Sequence, residues 1–148
     1  MVYVFDVANY ILGKTGTITS MKMQKLVYYS QAWSLAWDDE PLFNEDFQAW
    51  ANGPVCPELF KEHKGLFRLP AEFFNSYANA SFSELQIETI DIVLKDYSAL
   101  TPQELSNLTH RERPWIEARG DTPPGMPCES IIDKDVMRDY YAGLMSAI

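Results

Sequence analysis

The segment from Met21 to Trp37 constrains the fold more than any other. Met23, Leu26, Val27, Tyr28, Tyr29, Ala32, Trp33, Leu35 and Trp37 lie all around a helical circumference instead of along one stripe. An amphipathic surface helix keeps one face polar, and this one keeps none. It must therefore run through a core or carry an interface, and its aromatics read as packing rather than as a cofactor box. Thr19 or Ser20 can cap its start, and Asp38, Asp39, Glu40 and Pro41 end it.

The remaining elements arrange themselves around that helix. Val4, Val7, Ala8 and Ile11 share one helical face, stopped by Gly13 and Gly16. Residues 47–51 suit a short strand before the Asn52-Gly53-Pro54 break, and Pro57 suits the first turn of a helix reaching about Lys64. Residues 70–80 carry weak signals and read as short helix or loop. Ser81 and Glu84 have capping-box spacing ahead of a helix with Ile90, Val93, Leu94, Tyr97 and Leu100 on one face. Thr101, Pro102 and Glu104 combine a second box with proline at the first helical position. Pro114 then interrupts the pattern and opens a short helix that ends at Gly120. Gly120 to Pro127 is a loop by composition, Ile131 and Ile132 suit an extended piece, and Asp133 caps a last helix through Val136, Tyr140 and Leu144. The expected fold is mainly α: one compact helical domain over residues 1–148, with six or seven helices and at most a short strand or hairpin near 47–51 and 131–132.

Composition narrows the function classes. The 148 residues are 47% hydrophobic and 14% aromatic, enough for one domain with a substantial core. No apolar stretch approaches the roughly 20 residues of a spanning helix, and no secretory signal pattern opens the chain. The reading is a soluble, cytoplasmic protein without membrane association. A net charge of −9 argues against direct nucleic-acid binding, which rests on neutralising phosphates. The densest basic cluster, Arg111, Arg113 and Arg119, is diluted by Glu112 and Glu117. Cys56 and Cys128 read as free thiols, and neither they nor His63 and His110 have the close-pair spacing of a zinc site. No metal or cofactor is expected.

Several motifs stand in one order. Thr19-x-Met21-x-Met23-Gln24-Lys25-Leu26-x-Tyr28-Tyr29 comes first, and Glu40-Pro41-Leu42-Phe43 follows. Trp50-x-x-Gly53-Pro54-Val55 is next. Downstream lies Leu105-Ser106-x-x-Thr109-His110-x-x-x-Pro114-Trp115-x-x-Ala118-Arg119. Over about residues 4–120 the chain resembles the Panacea, or SocA-like antitoxin, domain family, which includes phage-associated (GepA-like) proteins. Lys25, Leu26, Tyr28, Gly53, Pro54 and Pro114 belong to that structural signature. The resemblance implies an antitoxin that binds and neutralises a co-encoded toxin protein. It also implies that some members act as adaptors delivering a client to a protease. Members often have glycine two residues before the proline of the second motif, where this chain has Asp39, so the turn there needs a different backbone solution. Nothing after Gly120 matches a family pattern.

An enzyme would need Cys56 paired with His110, or His110 with Glu112 as acid and base. Cys56 lies between Val55 and Pro57 without a glycine-framed elbow to expose it, so the chain reads as a binding module and not an enzyme. His110 either bonds backbone at the Pro114 break or faces a partner together with Glu112 and Arg113. Trp50 and Trp115 divide in the same way between packing and binding anchor. Trp50, Asn52, His110, Glu112, Arg113 and Trp115 are thus the candidate partner-binding residues. Gly53, Pro54 and Pro57 read as a rigid corner in which Cys56 is a passenger.

Overall fold

The computed structural model describes residues 2–146. In chain order its elements are α1 (Val4–Thr15), β1 (Ile18–Thr19), α2 (Ser20–Asp38), β2 (Gln48–Trp50), β3 (Gly53–Val55) and α3 (Pro57–His63). Then come β4 (Arg68–Leu69), α4 (Glu84–Tyr97), α5 (Pro102–His110), α6 (Arg113–Arg119) and α7 (Lys134–Ser146). The architecture is mainly α, as the periodicity predicts, with two short antiparallel strand pairs and no closed sheet among the described residues. Among the described residues, no helix is long and apolar enough to cross a membrane.

The all-round apolar helix is the centre of the molecule. α1, α4, α5, α7 and β3 all pack on α2, and Met23 through Ala32 are buried without interruption. That run includes Gln24, Lys25, Ser30 and Gln31, so the helix carries polar groups into the core. Most of them are satisfied, as burial demands. Ser30 donates to the Leu26 carbonyl. Gln31 donates to the Phe43 carbonyl at 2.8 Å and accepts from the Leu42 amide at 2.7 Å, while Ser34 donates to the Glu40 carbonyl. The acidic loop after α2 is therefore laced back onto the helix it leaves.

Helix starts follow the sequence closely. Thr19 caps α2 by accepting from the Lys22 amide, and Asp133 accepts from the Asp135 and Val136 amides ahead of α7. Thr101 and Glu104 form the expected reciprocal box. The box opening α4 is formed by Ser83 and Gln86, two residues later than the Ser81–Glu84 spacing suggests. Phe82 packs edge-on against Tyr10 there, which fixes where the chain enters the helix.

The connections between helices are set by distant partners and, at one turn, by a single backbone conformation. β1 pairs with β4, joining Ile18 to Leu69 and Thr19 to Arg68, although neither two-residue strand has a sequence signal. Residues 70–80 form turns instead of a helix, held by the buried carboxylate of Asp6, which accepts from the Asn79 and Ala80 amides at 3.0 Å. Asp39 takes the left-handed conformation itself, with φ 55° and ψ 27°. The turn before Pro41 thus keeps the geometry a glycine would use, because aspartate is among the few residues that tolerate it. Ile131 bridges Gln48, and the Phe47 carbonyl accepts from the Ile132 amide.

Candidate protein-binding face

The break after Trp50 is a hairpin. β2 and β3 pair Gln48 with Val55, Ala49 with Pro54 and Trp50 with Gly53, so Ala51 and Asn52 form a two-residue tip. The four consecutive carbonyls from 49 to 52 are each met by a side chain from α5 or α6. Arg119 donates to Ala49 at 2.9 Å, the Trp115 indole to Trp50 at 2.9 Å, and Ser106 to Asn52 at 2.8 Å. His110 Nε2 lies 2.8 Å from the Ala51 carbonyl, and its Nδ1 lies 2.5 Å from that of Ser106. Ser106 and His110 are four residues apart on α5, and Trp115 and Arg119 are four apart on α6, so each pair shares one helical face. Pro114, in the first turn of α6, separates the two helices and lets both faces meet one hairpin. This is the physical content of the long downstream motif: it is a clamp.

Gly53 solves a second problem on the other side of the hairpin. Its φ is +121°, and a Cβ there would fall 2.4 Å from Lys25 Cε and 2.9 Å from Thr109 Oγ1. Only glycine lets the hairpin lie this close to α2. Lys25 is 1% exposed, and its ammonium has no hydrogen-bond partner among the described residues. Burial lowers its pKa to about 7. Next to it, Gln24 accepts from the Cys56 amide at 2.9 Å and places its own amide 3.2 Å from the Cys56 carbonyl and 3.0 Å from His63 Nε2. The His63 pKa is lowered, first by burial and further by Lys25.

The candidate residues divide by location. Trp50 is half-buried and packs edge-on against Phe60, and Asn52 is exposed at the hairpin tip. Arg113 is exposed and paired with Glu117. His110 and Trp115 are turned inward onto the hairpin, with ring centroids 4.0 Å apart. Glu112 is buried, accepting from Tyr29 at 2.7 Å and Tyr141 at 2.8 Å, and burial raises its pKa. It ties α6 to α2 and α7. Leu26 and Tyr28 are core residues, and Pro54 and Pro114 are buried. Arg119 is also inward, spending its guanidinium on the carbonyls of Ala49, Pro123 and Met126. The basic cluster seen in the sequence is therefore not a continuous surface.

The nucleophile reading finds no geometry. Cys56 is fully buried, its thiol pushed up to about 12 chiefly by burial, and its sulfur contacts Glu58. Both His110 nitrogens already face carbonyls, so His110 is not placed to take a proton from that thiol. Cys56 and Cys128 are both free. Among the described residues, no group of three or more His, Cys, Asp or Glu side chains converges as a metal site.

Two adjoining clefts flank the hairpin tip. One, of about 450 Å³, is lined by Met21, Trp50, Phe60, Pro127 and Cys128. The other, of about 240 Å³, is lined by Thr19, Lys25, Phe67, Gln103 and Ser106. Met21 and Asn52 line both. Phe67 stands 71% exposed at the rim of the second. Met21, Phe60 and Phe67 have no signal as site residues in the sequence, because the β1–β4 pairing and the Gln24–His63 contact that bring residues 60–67 beside the start of α2 are tertiary.

Residues 23–116 match the family model described as antitoxin SocA-like, Panacea domain. The chain belongs to the Panacea family of SocA-like antitoxin domains. Neither curated proteins nor solved structures return a match. The matched span begins inside α2 and ends inside α6, so it contains Lys25, Gly53 and three of the four clamp residues. The family is one of antitoxins that act with a toxin partner and are not catalysts. α1, α7 and the loop walling the larger cleft lie outside the matched span.

Proposed function

We propose that this antitoxin domain neutralises a co-encoded toxin by direct contact in the cytoplasm, using the face around the hairpin tip. The observation that carries the reading is the combination of rigidity and exposure at Trp50 and Asn52. Their carbonyls are pinned from behind by Trp115 and Ser106, while Trp50 lines the larger, apolar cleft and Asn52 lines both it and the smaller one rimmed by Phe67. A rigid face loses little freedom on binding, and a few aromatic anchors carry most of an interface's energy. His110, Glu112 and Trp115 then act by holding the face, and Trp50, Asn52 and Arg113 by meeting the partner. The net charge of −9 and the inward Arg119 support a protein partner over a nucleic acid.

Co-expression with the product of the adjacent gene tests this. The wild type restores growth and co-purifies with the toxin. Trp50→Ala and Phe67→Asp weaken both by more than tenfold while remaining folded. Leu85→Asp, on the exposed face of α4, leaves both unchanged. Loss of neutralisation by Leu85→Asp with retention by the other two would move the interface to α4 and reject the reading.

A further inference from the structure

We infer that the smaller cleft is a carboxylate-recognition subsite, in which an acidic side chain of the bound toxin meets the ammonium of Lys25. The cleft lies between the hairpin, the start of α2 and the start of α5, and Lys25 forms part of its lining. Lys25 Nζ is fully buried and lacks a hydrogen-bond partner among the described residues, although burial of an amine without a partner is costly. The backbone is built to keep it there: Gly53 leaves room for the lysine stem where any side chain would collide with it.

The remaining lining chemistry suits a single carboxylate. Thr19, Asn52 and Gln103 are neutral groups with hydroxyl or amide donors, Ser106 spends its proton on the Asn52 carbonyl, Met21, Phe67 and Pro102 complete the wall, and Lys25 supplies one cation. Thr19 Oγ1 accepts from the Lys22 amide, which leaves its proton free to donate. A polyanion would meet only one positive charge here, on a chain of net charge −9. The adjoining cleft is apolar, with Met21, Trp50 and Phe60, and it shares Met21 and Asn52 with the smaller one. A partner segment crossing both clefts therefore carries an apolar residue beside Trp50 and an Asp or Glu above Lys25. The lowered Lys25 pKa agrees: a carboxylate arriving there restores the charged amine.

This inference rests on the toxin-binding reading for the identity of the partner, and its chemistry is testable without a toxin. The probe is the blocked dipeptide acetyl-Phe-Glu-amide, with acetyl-Phe-Gln-amide as neutral control, titrated into the full chain while the Lys25 ε-CH2 resonance is followed. The Glu dipeptide is expected to shift that resonance at millimolar concentration and the Gln dipeptide at least tenfold more weakly. In Lys25→Met the preference for Glu disappears, with the fold verified by circular dichroism. The same variant is expected to bind the toxin at least tenfold more weakly than the wild type. An equal response of the wild type to both dipeptides overturns the subsite, as does undiminished toxin binding by Lys25→Met. Absence of any toxin binding by the wild type would instead reject the toxin-binding reading, and the dipeptide titration would still decide whether the carboxylate subsite exists.

Discussion

Gly53 and Lys25 occupy one another's space: a single added carbon on the glycine would lie 2.4 Å from the lysine stem. Two motif residues 28 positions apart are therefore one structural unit, and the glycine cannot gain a side chain while the lysine stays. Gly53→Ala is expected to destabilise the chain by about 2–4 kcal/mol, from a positive φ and an overpacked contact together. Adding Lys25→Ala should recover the part of the packing cost that Lys25 causes, leaving the Thr109 contact and the backbone part. Urea unfolding of the two single variants and the double variant measures the coupling, and strict additivity would mean the contact carries no energy.

Lys25 also makes a prediction about pH. Its folded pKa, about 7, lies below the ordinary lysine value of 10.5. Between those values the unfolded chain holds a proton that the folded chain does not, so stability contributed by this group rises with pH. Below about 7 both states are charged, and the folded protein bears the full cost of a buried ammonium. Lys25→Met should therefore be more stable than the wild type at pH 6, with the difference shrinking steadily toward pH 9. His63, whose lowered pKa works in the same direction at lower pH, is the nearby group to control, with His63→Gln as background. A difference independent of pH would contradict the buried, unpaired lysine.

The clamp should act on function through rigidity. Trp115→Phe keeps an aromatic ring but removes the bond to the Trp50 carbonyl and part of the buried indole volume, at a cost of about 1–3 kcal/mol. His110→Ala uncovers the Ala51 carbonyl and opens space beside Trp115, costing about 1–3 kcal/mol. Amide hydrogen exchange should accelerate in residues 48–55 and stay unchanged in α4. Toxin neutralisation should weaken in proportion to that acceleration, although neither side chain lies on the exposed rim.

Asp39 offers a change in the opposite direction. It adopts φ 55°, where glycine is unstrained, and its ion pair with Arg138 is long and exposed. Asp39→Gly is expected to stabilise the protein by about 0.5–1 kcal/mol, or roughly 1–4 °C in Tm, with toxin binding unaltered. A fall in Tm on thermal unfolding would show that the aspartate holds the turn through its side chain.

What the sequence by itself determined is local and periodic. The all-round apolar pattern of Met21 to Trp37 demanded a buried helix, and the Thr101–Glu104 box and Asp133 marked helix starts, because caps and stripes are decided within a few residues. The ordered motifs sufficed to name the family, and Gly53-Pro54 to locate a break. The roles of the motif residues were decided only by tertiary structure. Ser106, His110, Trp115 and Arg119 read as two unremarkable helical pairs until the hairpin brings four consecutive carbonyls beneath them. Glu112 looks like a surface charge in sequence and becomes a buried acceptor only when Tyr29 and Tyr141 meet it from distant helices. Burial of a charged side chain depends on which partners the rest of the chain delivers. That information is spread over the whole fold, and no window of sequence holds it.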